Sequence, residues 1–272
     1  MDENARYLSI LEIASLNKWP RQFNATGSDI VDDIIRFINE IENAEQASLA
    51  IDILRQYIII KDYHEHTISI VKKVYAKFSK QQERLILAPV HDEKSSLIKS
   101  SPSFCYDVMT QLNPRDFGSV EIFLPPYERM GSLVGQNILV FDDFVGSGSQ
   151  FRKFSRHIQA SFGAEKGRIY LFCIASMPHR HPRILQECQE VETELSSIQI
   201  LKYLAKIDPS RDVYGLYDAL ESTLSIRPFY KRGYGRSEAA ISMKRTPNNT
   251  LPIFWSTIRK GGKSWPAPFP RY

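Results

Sequence analysis

The chain has no apolar run near the roughly twenty residues that a membrane-crossing helix requires. Its opening residues, MDENARYLS, lack the charged-then-apolar order of a secretion signal. Both absences lead us to expect a cytoplasmic protein with no membrane contact. Cysteine is scarce: Cys105, Cys173 and Cys188 are far apart, odd in number and in no paired metal spacing. That argues against a disulfide framework or a thiolate metal site and predicts reduced thiols. Cys173 lies in an apolar stretch and reads as core. Histidine gives no metal site either, since neither the pair His64 and His66 nor the pair His179 and His181 has a matching set of acids or cysteines.

Net charge is small, +4 over 272 residues, but it is unevenly placed. From Ile226 onward ten Lys or Arg residues face one acid, Glu238, so that end carries +9 and the rest −5. A basic end suits a polyanion, either nucleic acid or the phosphates of a substrate; a solvated basic tail is the plain alternative. Residues 1–80 hold ten basic and twelve acidic residues, which argues against a nucleic-acid face there.

Hydrophobic residues, 43% of the chain, suffice for a sizeable core. Residues 1–80 read as a helical module without strands. Ile30, Ile34, Phe37, Ile38 and Ile41 share one face, and so do Ala47, Ala50, Ile51, Leu54 and Ile58, then Ile68, Val71, Val74, Tyr75 and Phe78. Ser28-Asp29 is a start signal for the first set, and Trp19-Pro20 separates it from an earlier helix. Docking on the rest of the chain or contact with a partner is the expected role. Residues 81–272 then alternate. Strands are predicted at 84–90, 120–124, 138–141 and 168–176, with a possible one at 239–243. Helices are predicted over the stretch through Tyr106 and Met109, after Ser149, and at 183–189, 198–206 and 213–224. This order predicts an α/β domain whose strands pair in parallel.

One stretch organises the domain: ILVFDDFVGSGSQ, Ile138–Gln150. Four apolar residues suggest a strand buried on both faces, and Asp142 and Asp143 close it. Gly146-Ser147-Gly148-Ser149-Gln150 then lead into a helix carrying Phe151, Phe154, Ile158 and Phe162. Glycines let backbone N–H groups turn inward, the serines add hydroxyl donors, and the helix start adds its positive dipole end, so a phosphate fits. The acids suit sugar hydroxyls or a divalent cation. A Walker loop would need a Gly-Lys-Ser/Thr that is missing, a dinucleotide fingerprint would need glycine at Phe151, and neither Ser147 nor Ser149 has the glycines of a nucleophile elbow. A strand with an acidic cap and a tight turn is the plain structural alternative.

The order of apolar residues, two acids, two apolar residues and a small Gly/Ser loop resembles the PRPP motif of type I phosphoribosyltransferases. The resemblance implies the fold class: an α/β, phosphoribosyltransferase-like parallel sheet flanked by helices (81–272), with the helical module (1–80) before it. It implies that Asp142 and Asp143 hold the ribose hydroxyls, serve the chemistry and bind metal, and that Gly146, Ser147, Gly148, Ser149 and Gln150 hold the 5′-phosphate. The loop after the first strand would grip pyrophosphate through Lys94, Ser95 and Ser96, with Lys99 beside them. It contains no glycine for close backbone approach, and Asp92 and Glu93 precede the lysine. Pro125–Gly131 stands where the family has its active-site flap, with Arg129 in reach of a phosphate. Mg²⁺ is the implied cofactor and PRPP or a nucleotide the implied ligand.

A second run, TPNNTLPIFW (Thr246–Trp255), has Asn248 and Asn249 fixed between prolines, with amides able to read a polar ligand. Phe254 and Trp255 offer flat surface for a base, or else pack in the core. Together with Ile138–Gln150 it is similar to phosphoribosyltransferase-like proteins of bacterial conflict systems, including anti-phage retron operons. That resemblance implies an effector, or toxin, restrained by a reverse transcriptase and its RNA–DNA product. Three functions stay open: a transferase or hydrolase acting at the sugar's anomeric carbon, a ligand- or nucleic-acid-binding module without turnover that scaffolds such a complex, and a helical DNA-binding regulator.

Overall fold

The apolar stripes at the start of the chain become helices α1 (Glu3–Leu16), α2 (Ile30–Asn39) and α3 (Ala44–Arg55) in a computed structural model. It describes residues 3–22, 28–79, 84–90, 100–122, 136–161 and 168–271. The Asp29 carboxylate caps α2 by accepting from the Val31 N–H at 2.8 Å, and the Asn43 side chain caps α3 by accepting from Glu45 and Gln46. The stripe from Ala47 to Ile58 is shorter than its periodicity predicts. α3 ends at Arg55, and Ile58–Ile59 form strand β1, which pairs in parallel with Ile241–Ser242 (β7). Ile58 therefore leaves the helix, because its β-branched neighbourhood finds a strand partner some 180 residues away.

The chain divides into two compact units, Asp62–Ser196 and a second one joining Met1–Lys61 to Ser197–Tyr272. The sequence places a single boundary near residue 80; the structure draws it elsewhere, for a packing reason. Helix α4 (His64–Phe78) belongs with the sheet, where Phe78 meets Tyr170 edge-on at 5.1 Å. The segment after Ser196 instead shares a core with the first helices. That core gathers Phe37, Tyr57, Phe254, Trp265 and Phe269, with Tyr57 stacked on Phe269 at 4.8 Å. Helices α8 (Ile200–Ile207) and α9 (Val213–Glu221) pack into it.

In the Asp62–Ser196 unit five strands form one parallel sheet: β2 (Arg84–Pro89), β3 (Ser119–Ile122), β4 (Asn137–Val145), β5 (Arg168–Ser176) and β6 (Glu190–Ser196), in the order β3-β2-β4-β5-β6. Its helices are α4, α5 (Ser100–Gln111), α6 (Ser149–Ser161) and the single turn α7 (His181–Ile184). Strand side chains alternate between two apolar layers. Ile138, Val140, Ile169 and Leu171 join Phe151, Phe154 and Ile158 of α6 and Ile184 of α7. On the other face Phe141 stacks on Phe172 and meets Phe104 of α5. The α/β sheet flanked by helices, with parallel pairing, is as expected. Strand β6 goes unread in the sequence, and the helix expected at 183–189 stops at Ile184 so that the chain can turn into it. The possible strand at 239–243 reduces to Ile241–Ser242. No helix among the described residues is long and apolar enough to cross a membrane.

Strands β2 and β4 are neighbours whose connections run opposite ways, β2 to β3 on one side and β4 to β5 and β6 on the other. Their carboxyl ends mark the switch point where open α/β sheets leave a crevice.

Phe254→Ala should lower unfolding stability by about 3–5 kcal/mol, read from the urea midpoint, because its ring fills a closed aromatic core. An unchanged midpoint would return Phe254 to the role of exposed base platform.

Candidate functional site

Strand β4 does not stop at Phe141. It carries Asp142 and Asp143 within its last turns of pairing, with Asp142 opposite Cys173 and Val145 opposite Ser176 of β5. Both acids are buried, 7% and 9% exposed. Each receives a hydroxyl from a different helix region. Ser101, in the first turn of α5, donates to Asp142 Oδ1 at 2.7 Å. Tyr63, just ahead of α4, donates to Asp143 Oδ2 at 3.0 Å, and the Phe144 N–H donates to Asp143 Oδ1 at 3.1 Å. Tyr63 is itself fixed, its carbonyl accepting from Thr67 Oγ1 at 2.8 Å and its ring edge-on to Phe104. Burial, then the neighbouring Asp143 charge, pushes the Asp142 carboxyl well above the usual carboxylate range, against the Ser101 hydrogen bond.

The turn that follows is built for close approach. Gly148 has φ +70°, and a Cβ there would lie 2.8 Å from Ile184 Cγ1 of α7. Any side chain at 148 therefore meets both backbone strain and the wall behind the turn. The Ser147 and Ser149 hydroxyls lie 2.9 Å apart, and Ser147 Oγ accepts from the Ser149 N–H at 3.3 Å. Among the described residues the amides of Gly146, Ser147, Gly148 and Gln150 donate to no protein acceptor. A turn whose amides, that of Ser149 apart, meet no acceptor among the described residues, at the head of a thirteen-residue helix, suits an anion. Helix α6 is pinned from its far side: Arg156 Nε bonds Glu187 at 2.9 Å and Ser155 Oγ donates to the Glu187 carbonyl at 3.0 Å.

The structure thus brings together Asp142, Asp143, Gly146, Ser147, Gly148, Ser149 and Gln150 at the carboxyl end of β4. Lys94, Ser95 and Ser96, together with Lys99 and Arg129, lie outside the described residues. Four neighbours of the site have no role in the sequence reading. Tyr63 and Ser101 are brought to the acids only by tertiary packing. His181, read in the sequence only as half of a histidine pair without metal partners, shares a 2.8 Å hydrogen bond through Nε2 with Ser176 Oγ, at the β5 residue paired with Val145. Burial holds its imidazole below the ordinary histidine range. Ile184 supplies the wall behind Gly148. Among the described residues no group of three His, Cys, Asp or Glu side chains could hold a metal by itself.

The asparagine run is a different matter. Asn249 Nδ2 donates to the Tyr234 carbonyl and to Ser237 Oγ, and Thr250 Oγ1 donates to the Ile241 carbonyl. Phe254 is fully buried and the Asn249 amide is spent on the fold, so both build core around a fixed turn.

A sequence profile of the family described as PRTase-CE matches residues 16–271. No curated protein matches the chain. Among solved structures, a hypoxanthine phosphoribosyltransferase from Staphylococcus aureus aligns at 14% identity over 47% of this chain and 72% of that one, TM-score 0.31. A purine phosphoribosyltransferase from Pyrococcus horikoshii Ot3 aligns at 11% over 50% and 86%, TM-score 0.33. The AQ2163 protein from Aquifex aeolicus aligns at 9% over 52% and 88%, TM-score 0.32.

The raised Asp142 carboxyl has a definite sign in folding. Its contribution to stability is complete below the ordinary carboxylate range and is lost as pH rises through the raised folded value. Asp142→Asn should therefore gain on the native chain in urea unfolding as pH rises, the difference in stability being smallest near pH 3 and growing from the ordinary carboxylate range up through the raised folded value. Parallel pH profiles for the two chains would sink this account. Gly148→Ala should cost about 1–3 kcal/mol in the same assay, for strain and contact with Ile184; a neutral result would mean the turn yields freely.

Proposed function

The chain belongs to the PRTase-CE family, and from that premise we propose that it binds PRPP or a nucleotide ribose-5-phosphate at the carboxyl end of β4. The observation that carries the reading is the buried pair Asp142–Asp143 running directly into a glycine turn most of whose amides have no acceptor among the described residues. In this reading the sugar's 2′- and 3′-hydroxyls donate to the two carboxylates, and the 5′-phosphate rests on the amides and hydroxyls from Gly146 to Gln150. Lys94, Ser95 and Ser96, directly after β2 in the chain, would hold the pyrophosphate. The glycine-free loop leaves that grip to side chains.

Breaking the bond between the anomeric carbon and its leaving group puts positive charge on the ring and negative charge on the departing oxygen. Carboxylates fixed beneath the ring stabilise the first, Asp142 once ligand and cation draw off the proton that burial leaves on it. Tyr63 and Ser101 keep them in place as sugar acceptors. Mg²⁺ fits this donor set as a shared ion, since it is commonly held by one or two carboxylates together with substrate phosphates rather than by an all-protein cage. Asp142 and Asp143 would be its protein ligands, and when bound it supplies charge neutralisation for the leaving group. Hydrolase and transferase chemistry share this arrangement.

The resemblance of Ile138–Gln150 and Thr246–Trp255 to conflict-system proteins supports a biological setting: an anti-phage retron effector held in check by a reverse transcriptase and its RNA–DNA product. A reverse transcriptase gene beside this one would support that setting, and its absence would count against it. A second reading, binding without turnover, is favoured by the lack of glycine at 91–96.

Pure protein with PRPP and Mg²⁺, or with nucleotides, should release pyrophosphate or free base. Asp143→Asn should lower that rate at least about a hundredfold, as loss of an electrostatic group at the reacting centre does. Calorimetric binding without product would select the second reading. Activity untouched by Asp143→Asn would remove the site altogether.

A further inference from the structure

Four aromatic rings of the unit that contains Ser197–Tyr272 are left at its surface. Phe229 lies 4.2 Å from Tyr230 and 6.3 Å from Tyr234, centroid to centroid, and Trp255 lies 5.8 Å from Tyr230. Phe229 is 49% exposed, and the other three are half-buried. The same unit closes Phe37, Phe254, Phe269 and Trp265 completely into its core. Apolar area was therefore left uncovered here while aromatic neighbours were buried.

Cations collect at these rings. The Arg271 N–H donates to the Trp255 carbonyl at 3.4 Å, which sets Arg271 beside the rings, and the Tyr230 and Arg245 side chains both act on its charge. Burial, and then the Arg245 charge, makes Arg271 easier to deprotonate, whereas its contact with Tyr230 acts the other way. The one acid from Ile226 onward, Glu238, turns inward. Glu238 is 4% exposed, and its Oε2 accepts from the Lys202 N–H at 3.2 Å and from the Tyr214 hydroxyl at 3.4 Å. The face is also preformed. Gly233 has φ +79°, a Cβ there would lie 2.0 Å from the Asn249 carbonyl oxygen, and the Tyr234 N–H donates to the Asn248 carbonyl at 2.8 Å.

We propose that this face binds single-stranded nucleic acid, with bases stacked on Phe229, Tyr230 and Trp255 and phosphates held by Arg245 and Arg271. Flat rings beside fixed guanidiniums suit a strand whose bases are free to stack, because every base offers a π face and every linkage a charge. A duplex keeps its bases stacked internally and gains only the electrostatic part. An acidic peptide would use the arginines and leave the rings idle. The proposal is independent of the sugar-phosphate reading of β4.

The test uses the full chain and a fluorescein-labelled oligothymidylate of about twenty nucleotides, followed by anisotropy across a sodium chloride series. Two arginine–phosphate contacts predict a log–log salt slope of about −1.4 or steeper. Phe229→Ala should weaken binding roughly tenfold, and Arg245→Glu should weaken it and flatten the slope. Lys72→Glu makes the same change of net charge in the other unit and should cost less than Arg245→Glu if the loss comes from contact and not from net charge. Tryptophan emission should fall on binding, since Trp255 is half-exposed while Trp19 and Trp265 are buried. No binding at low salt, an unchanged Phe229→Ala, equal losses from Arg245→Glu and Lys72→Glu, or tighter binding of a matched duplex would each overturn the proposal.

Discussion

Two carboxylates on consecutive residues repel each other, and burial removes the water that would screen them. The chain meets this constraint with neutral hydroxyls, Ser101 on Asp142 and Tyr63 on Asp143, each drawn from a different part of the chain. Hydrogen bonding favours the charged form while burial opposes it, and at Asp142 burial wins. Everything at the end of β4 depends on that balance. Helix α5 must begin where Ser101 meets the acid, and the residue before α4 must reach the sheet. A helix that the sequence assigns to a separate module is thereby a fixed part of the sheet unit.

The same constraint gives the neighbouring turn its form. A chain leaving two buried acids must reverse quickly into α6 if the helix start is to lie beside them. Gly148 does this in the left-handed region, and Ile184 closes the space a side chain would need. The Glu187 contacts to Ser155 and Arg156 then hold the helix at that approach. Buried acids and the amides of a glycine turn thus sit in sequence along one backbone. Such a gradient orients a ligand with hydroxyls at one end and phosphate at the other.

The second unit handles buried acids by similar means. Glu221 accepts from the Tyr217 hydroxyl at 3.0 Å and the Arg232 N–H at 2.8 Å, and Glu238 from Lys202 and Tyr214. Burial raises both carboxyls. Arg232 and Glu238 have positive φ, a strain that these bonds and the Arg232–Asp218 pair offset. Chain reversals in 232–238 therefore serve internal satisfaction, which frees the aromatic side chains of the same region to face outward.

The sequence alone determined what local physics controls. The amphipathic periods of α2, α3 and α4, the apolar runs of β2, β4 and β5, and the order of acids, glycines and helix start after Phe141 all follow from nearest neighbours and were legible. Strand β6 was readable in principle from Val191, Thr193 and Leu195, but its intervening glutamates made it look like polar surface. Tertiary structure decided what depends on distant partners. It paired Ile58 with Ile241, divided the chain at residues 61 and 196, buried Asn249 and Phe254, and brought Tyr63 and Ser101 to the aspartates. A hydroxyl in a sequence carries no mark of the carboxylate it will meet, because that meeting is fixed by the packing of helices against a sheet and not by the residues beside it.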